Sequence, residues 1–234
     1  NPAYLPLIIA SVVVNFSAGR FIEARRNRSA LVWGIGLNLG ALVWFKYSGF
    51  GVANTNLVLG TSFKVPEIIL PLAISFFTFQ QIAYLVDVWR GEAAEQDLLN
   101  YAAFVTFFPQ LIAGPIVQSR EMIPQLKGPG LFAFRPEDLA VGGSLFLFGL
   151  FEKVVLADGV AVYAGPVFEA AQLGLDVSLF EAWGGALAYT YQVYFDFAGY
   201  STMAIGLGRI FGLTLPVNFD TPYQATSIID FWRR

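Results

Sequence analysis

The chain has 234 residues, of which 56 % are hydrophobic and 13 % charged. A soluble domain carries about 25 % charged residues, so the sequence reads as a polytopic membrane protein, and a net charge of −3 without interleaved basic residues argues against a nucleic-acid partner. With no cysteine and no histidine, a disulfide framework, a thiolate metal site, a cysteine nucleophile and the commonest general base are all excluded; the carboxylates do not cluster, so no metal site is expected.

A bilayer-crossing helix takes roughly 20 mostly apolar residues. In chain order, Tyr4–Ala18 predicts a short first span, followed by full spans at Ser29–Phe50 and Ile68–Trp89. Tyr101–Val117 has about the right length but is interrupted at Pro109 and at Gly114-Pro115. Proline lacks the backbone N–H and biases its predecessor toward extended structure, which predicts a re-entrant or kinked element. Backbone of that kind is tolerated at membrane depth only where protein or a water-filled cavity satisfies it, so this segment is a candidate cavity wall. Leu139–Ala157 and Leu179–Tyr200 predict the remaining spans, and Asn218–Arg234, punctuated by Pro222, predicts amphipathic helices on the cytoplasmic side. The expected fold is all-α: one multi-span membrane domain over residues 1–234, with no internal repeat and no linker. Asn1-Pro2 in place of Met, and an end inside an amphipathic run, point to a piece of a longer protein.

Basic residues orient the spans. Arg20, Arg25, Arg26 and Arg28 follow the first span, Arg90 the third, Arg120, Lys127 and Arg135 the broken segment, and Arg209, Arg233 and Arg234 the last. With these inside, only Lys46 and Lys64 face outward, which is a consistent positive-inside pattern. Trp33, Trp44, Trp89 and Trp183 fall near span ends, as an interfacial belt requires.

Four ionisable side chains lie in or beside spans: Asp87, Glu152, Lys153 and Asp196. Each needs a partner, water or a role, because a charge at the centre of a spanning helix costs about 2.5–3.5 kcal/mol. Arg90, three residues on, accounts for Asp87. Glu152 and Lys153 are adjacent and so point to different helix faces, which favours pairing with other helices. Asp196 lies among Tyr191, Tyr194, Phe195, Phe197 and Tyr200, and fits either an interior polar network shaping a site or a packing hydrogen bond. Ser75, Thr78, Gln80, Gln81 and Tyr84 form a polar stripe on the third span, and Gln110 and Gln118 flank the Gly-Pro break. Glue between helices and the lining of an acyl or sugar path both explain them. Gly206-Leu207-Gly208 superficially suggests a dinucleotide loop, but no strand precedes it, and close helix packing by small residues is the better explanation.

Four ordered motifs carry a resemblance: Phe107-Phe108-Pro109-Gln110 through Gly114-Pro115 to Gln118; Tyr194-Phe195-Asp196 through Gly199-Tyr200-Ser201; Asn218-Phe219-Asp220-Thr221-Pro222-Tyr223; and Ile228 through Phe231-Trp232-Arg233-Arg234. Together they resemble the membrane-bound O-acyltransferases, most closely the polysaccharide-acetylating branch that includes the membrane subunit of bacterial alginate O-acetylation. The resemblance implies an inner-membrane, multi-pass acetyltransferase with a catalytic histidine directly after the Phe-Trp-Arg-Arg run, and hence no catalytic residue within these 234. It implies a cytoplasmic donor (acetyl-CoA or an acyl carrier), no bound cofactor, membrane lipid around the chain and periplasmic acetylation partners. Gln80, Gln110, Gln118, Asp196, Tyr200, Asn218, Tyr223, Trp232, Arg233 and Arg234 become candidates to line or support the cavity, the two arginines meeting donor phosphates or anchoring the chain. A transporter or flippase, and a non-catalytic scaffold, are the competing readings; a transporter would show a second broken span related by repeat.

Overall fold

In a computed structural model that describes residues 4–66, 68–111 and 114–234, secondary structure is helical, with no strand among those residues. The chain divides into two compact units, Asn1–Ile112 with Val117–Gly128 and Ala113–Ile116 with Pro129–Arg234. The sequence offers no boundary of this kind, because no linker composition marks it.

The first unit contains α1 (Leu5–Arg25), α2 (Arg28–Leu59), α3 (Ile74–Arg90), α4 (Leu98–Thr106), α5 (Phe108–Leu111) and α6 (Ser119–Leu126). Both leading helices outrun their predicted spans, α1 carrying Arg20 and Arg25 in its final turns and α2 continuing past Phe50. Asn27 caps α2, its side-chain oxygen accepting from the N–H groups of Ser29 and Ala30, as an N-cap should. Conversely α3 starts at Ile74 rather than Ile68. Pro71 biases Leu70 toward extended backbone, and Ala73 sits at φ 60, a left-handed geometry that no helix continues through. Buried Tyr84, Leu85, Val88, Tyr101 and Phe104 form the core here. The expected Asp87–Arg90 ion pair does not form among the described residues. The Asp87 carbonyl instead accepts from the N–H groups of Gly91 and Glu92 where the helix ends.

The break at Pro109 is real. Helix α4 stops at Thr106, α5 restarts for a single turn, and Gly114–Gln118 is non-helical. Ile112 and Ala113, inside the expected re-entrant segment, lie outside the described residues.

The second unit contains α7 (Pro136–Phe151), a π-helical segment (Glu152–Ala157), α8 (Asp158–Gln172), α9 (Leu179–Ile210), a 3-10 turn (Pro222–Gln224) and α10 (Ile228–Arg233). Helix α7, the π segment and α8 run without interruption from Pro136 to Gln172, past Ala157, where the predicted span ends. Helix α9 opens on a capping box between Ser178 and Glu181 and continues well beyond Tyr200. The run expected to form amphipathic helices after Asn218 is mostly irregular, holding only the 3-10 turn and the short α10, because Pro222 and the extended backbone at Ala225 and Ser227 interrupt it.

Glycine spacing explains how α7 and α9 meet. Gly142 and Gly149 are seven apart on α7, as are Gly199 and Gly206 on α9; two helical turns put each pair on one face. A Cβ on Gly149 would lie 2.5 Å from Gly199 O, and one on Gly142 2.5 Å from Gly206 O. The two antiparallel backbones therefore touch, the close approach that small residues permit in membranes. Packing, not phosphate binding, accounts for these glycines. Among the described residues three helical stretches, Leu5–Arg25, Arg28–Leu59 and Pro136–Gln172, are long and apolar enough to cross a membrane. At 17 residues, α3 is shorter and inward-facing, and α9 is richer in glycine and tyrosine.

Candidate functional site

The Gly149–Gly199 contact places Glu152 against α9, and a cavity of about 200 Å³ opens beside it. Glu152, Tyr194, Ser201, Thr202 and Asn218 supply its polar lining, and Phe148 and Phe219 add aromatic walls. Tyr194, Ala198, Ser201, Thr202 and Ile205 all reach it from α9, at spacings that keep them on one helix face. Glu152 is buried, and Thr202 donates toward its Oε2 at 3.4 Å. Ser201 is 2 % exposed, yet its Oγ has no hydrogen-bond partner.

The ion pairs of α7, the π segment, α8 and α9 form two layers. Nearer the start of α7, buried Asp138 meets Arg209 Nε at 2.7 Å and Arg135 at 3.8 Å. Fifteen residues on from Asp138 and thirteen back from Arg209, about 20 Å at 1.5 Å per residue, Lys153 lies 2.8 Å from Asp196 and 2.7 Å from Asp158. The π segment makes the second contact possible: the Asp158 N–H bonds Lys153 O, an i+5 link, so the two side chains come round to the same side. Glu152 and Lys153 thus pair with different partners, as their adjacency requires. Asp196 is not enclosed; its side chain is 53 % exposed and, among the described residues, paired with Lys153.

The chain after α9 closes the cavity. Asn218 lines it half-buried, and Phe219 packs edge-on against Tyr194. The Tyr223 ring contacts Tyr191, Tyr194 and Phe231, and its hydroxyl donates to Thr190 O at 3.5 Å. Arg234 reaches back to Asp230 at 3.1 Å and to Asp220 O at 3.3 Å, while Asp220 N–H donates to Arg234 O at 2.7 Å. The Thr226 N–H and the Arg234 side chain hold the Asp230 carboxyl below its ordinary range. Trp232 and Arg233 stay exposed, and Tyr200 is half-buried on α9 without a side-chain hydrogen bond among the described residues.

The glutamine candidates belong to the first unit and have a different task. Gln80 Nε2 and Gln110 Nε2 both donate to Phe104 O, at 3.2 and 3.0 Å. That carbonyl is near the end of α4, where four acceptors lack intrahelical partners, so the two amides cap the helix that Pro109 breaks. Gln118 is exposed at the start of α6 and offers its backbone carbonyl to Glu121 and Met122. Sequence reasoning missed Ser201 and Thr202 as lining residues, although the 194-198-201/202-205 periodicity marks their face. It also missed the reciprocal amide pair of Asn15 and Asn38, whose partners lie 23 residues apart and share no local signal.

The model of the membrane-bound O-acyltransferase family matches residues 91–234, which takes in this whole cavity. A peptidoglycan O-acetyltransferase of Helicobacter pylori is 41 % identical over 100 % of this chain and 49 % of its own length. Proteins named "Probable alginate O-acetylase AlgI" from Azotobacter vinelandii and Pseudomonas aeruginosa are 41 % and 40 % identical over 99 % of this chain and 47 % and 45 % of theirs. The chain spans about half the length of these relatives. With an all-helical architecture and several membrane-length apolar helices, it is a multi-pass membrane protein and belongs to the membrane-bound O-acyltransferase family.

Proposed function

We propose that the protein to which this chain belongs transfers an acetyl group from a cytoplasmic donor, acetyl-CoA or an acyl carrier, through the bacterial inner membrane to hydroxyls of an extracytoplasmic polysaccharide such as alginate or peptidoglycan. The observation that carries this reading is identity of about 40 % across essentially the whole chain to relatives named for O-acetylation of two polysaccharides. Periplasmic partner proteins complete the delivery. In the reaction the acyl C–S bond of a thioester donor breaks, the C–O bond of the ester forms, and the hydroxyl proton ends on the departing thiol. An alcohol is a weak nucleophile at neutral pH until a positioned base takes that proton, and this span holds no histidine. The base is the family histidine that follows the Phe-Trp-Arg-Arg run. The clasp of Arg234 on Asp220 and Asp230 sets the direction in which the chain leaves that run. Arg233, without an ion-pair partner among the described residues, is free for donor phosphates.

Polysaccharide acylation is compared in cells carrying residues 1–234 alone, the intact protein, and the intact protein with that histidine changed to alanine. Acylation by the intact protein only is the expected result. Robust acylation by residues 1–234 alone would overturn the reading, and its absence in all three would favour a scaffold.

A further inference from the structure

Away from its buried amides, the first unit opens a pocket of about 260 Å³ between the loop after α3 and the start of α6. Arg26 donates to Trp89 O and Glu23 accepts from the Ala94 N–H, which ties that loop to the end of α1, the side the positive-inside pattern assigns to the cytoplasm. The Glu95 carboxylate in its wall is satisfied. Its Oε1 accepts from the Gln96 and Asp97 N–H groups at 3.0 and 2.9 Å, and its Oε2 lies 2.7 Å from Lys127 Nζ. What the lining leaves over is mainly donors. Tyr84, 2 % exposed, accepts from the Glu95 N–H at 3.1 Å and keeps its O–H to give. Ser119, 9 % exposed, has no side-chain partner among the described residues, and exposed Arg120 has none either. No side chain caps α6, so the N–H groups of Ser119 and Arg120 are also untaken among the described residues. Glu92, exposed in the lining, is the carboxylate that opposes them.

We propose that this pocket binds one phosphate group, carried by a cytoplasmic phosphate ester: a phospholipid headgroup or the acyl donor. Ionised phosphate oxygens accept hydrogen bonds and do not donate them, so they match a lining whose free groups donate. An uncapped helix N-terminus favours the same charge, and the Arg120 guanidinium offers the planar fork suited to phosphate. Lys127 neutralises Glu95 and has further N–H bonds to give. Size limits what enters. About 260 Å³ is below the roughly 300–1,000 Å³ of pockets that enclose a drug-sized ligand, so the phosphate is held and the rest of the ester stays outside. The site goes beyond the acyl-transfer reading, which rests on family identity, and does not depend on it.

The test uses the full-length protein in maltoside detergent, which contains no phosphorus, with inorganic phosphate as the probe and phosphorus NMR line broadening as the readout. Phosphate is expected to bind the wild type. Arg120→Gln weakens it about tenfold, Ser119→Ala about threefold, and Glu92→Gln tightens it about threefold by removing the opposing charge. Arg120 and Glu92 are exposed, so thermal unfolding should be unmoved by either change. Arg25→Gln, an exposed arginine at the same end of the unit but outside the pocket lining, is the control and should change nothing. Competition then identifies the ester. Displacement by acetyl-CoA assigns the phosphate to the donor, displacement by dihexanoyl phosphatidylglycerol assigns it to a headgroup, and displacement by both assigns the chemistry they share. No phosphate binding by the wild type, binding unmoved by Arg120→Gln, equal losses in Arg120→Gln and Arg25→Gln, or displacement by neither ester each overturns the proposal. Acylation in cells reads out the other reading, so a pocket that fails this test leaves acyl transfer standing, and lost acylation leaves the pocket standing.

Discussion

The first unit buries mainly neutral amides that satisfy one another, with one carboxylate, Glu95, paired to Lys127 at 2.7 Å, whereas the second relies on full charges and leaves part of its bonding capacity unused. Asn15 and Asn38 exchange hydrogen bonds at 3.2 and 2.6 Å, and each also donates to its own helix. Gln81 reaches Ser11, while Gln80 and Gln110 converge on Phe104 O. Only Gln110 Oε1 is left over among these buried side chains. A cleft of about 180 Å³ in this unit has Asn15, Asn38 and Ser11 in its lining, but those groups are already engaged. In the second unit Asp138–Arg209 and Lys153 with its two aspartates are paired, but Ser201 and Asn218 face open space. A saturated network specifies packing; an unsaturated one is prepared for a ligand.

The largest effect that separates the units is expected at the helix contacts. Gly149→Val drives a side chain into the Gly199 carbonyl, a backbone atom that cannot move aside, and should cost about 3 kcal/mol or more, with acylation lost in the intact protein. Gly143→Val, with nothing within 4 Å, is its neutral control. Gly19→Ala in the first unit meets only the Tyr84 ring, at 2.6 Å, and should cost about 1–2 kcal/mol. Thermal unfolding in detergent measures all three, and equal losses for Gly149→Val and Gly19→Ala would erase the distinction.

Asn38→Leu strands a buried Asn15 and should destabilise by about 1–3 kcal/mol, while Asn15→Leu with Asn38→Leu should recover most of that loss. A double variant as unstable as the single would show that the pair does more than satisfy itself. Asp196→Asn should lower stability by less than about 1 kcal/mol, because the pair with Lys153 is half-exposed and Lys153 keeps Asp158. It should still weaken acylation several-fold, and Asp196→Leu should damage both. Wild-type acylation in the leucine variant would remove Asp196 from any functional role.

Single cysteines placed at Gln96 and Ser119, in a chain with none of its own, should be labelled from the same face of the membrane if the segment broken at Pro109 re-enters. Labelling from opposite faces would make it a kinked span. The smallest effect concerns Asp230, whose carboxyl is held below its ordinary range in the folded protein. A depressed carboxylate stabilises the fold above its unfolded value, and that contribution disappears as pH falls through the lowered folded value. Hydrogen exchange in Ile228–Arg233 should therefore be insensitive to pH near neutrality and report fraying only in acid; Asp230→Asn should show the frayed behaviour at every pH.

Much of the helical layout is legible because it depends on local composition. Apolar runs announced the long helices, Pro109 the end of α4, and the Gly206-Leu207-Gly208 cluster close helix packing. Helix ends were less legible where tertiary partners overrule local signals. The predicted span ends at Ala157, but Lys153 and the π turn carry the helix on through Asp158. The predicted last span ends at Tyr200, but α9 runs on to Ile210 with α7 packed against Gly206. Within the candidate site, Asn218 and Tyr223 were visible from motif, whereas Gln80 and Gln110 turned out to hold a helix end.

By itself the sequence determined the membrane class, the all-helical fold and the family, because apolar run length, proline and ordered motifs are local properties of the chain. Tertiary structure alone decided which polar groups neutralise each other and which are left facing a cavity. That outcome depends on two helices touching at Gly142–Gly206 and Gly149–Gly199, a contact that brings Glu152 and Ser201, 49 positions apart, to one surface.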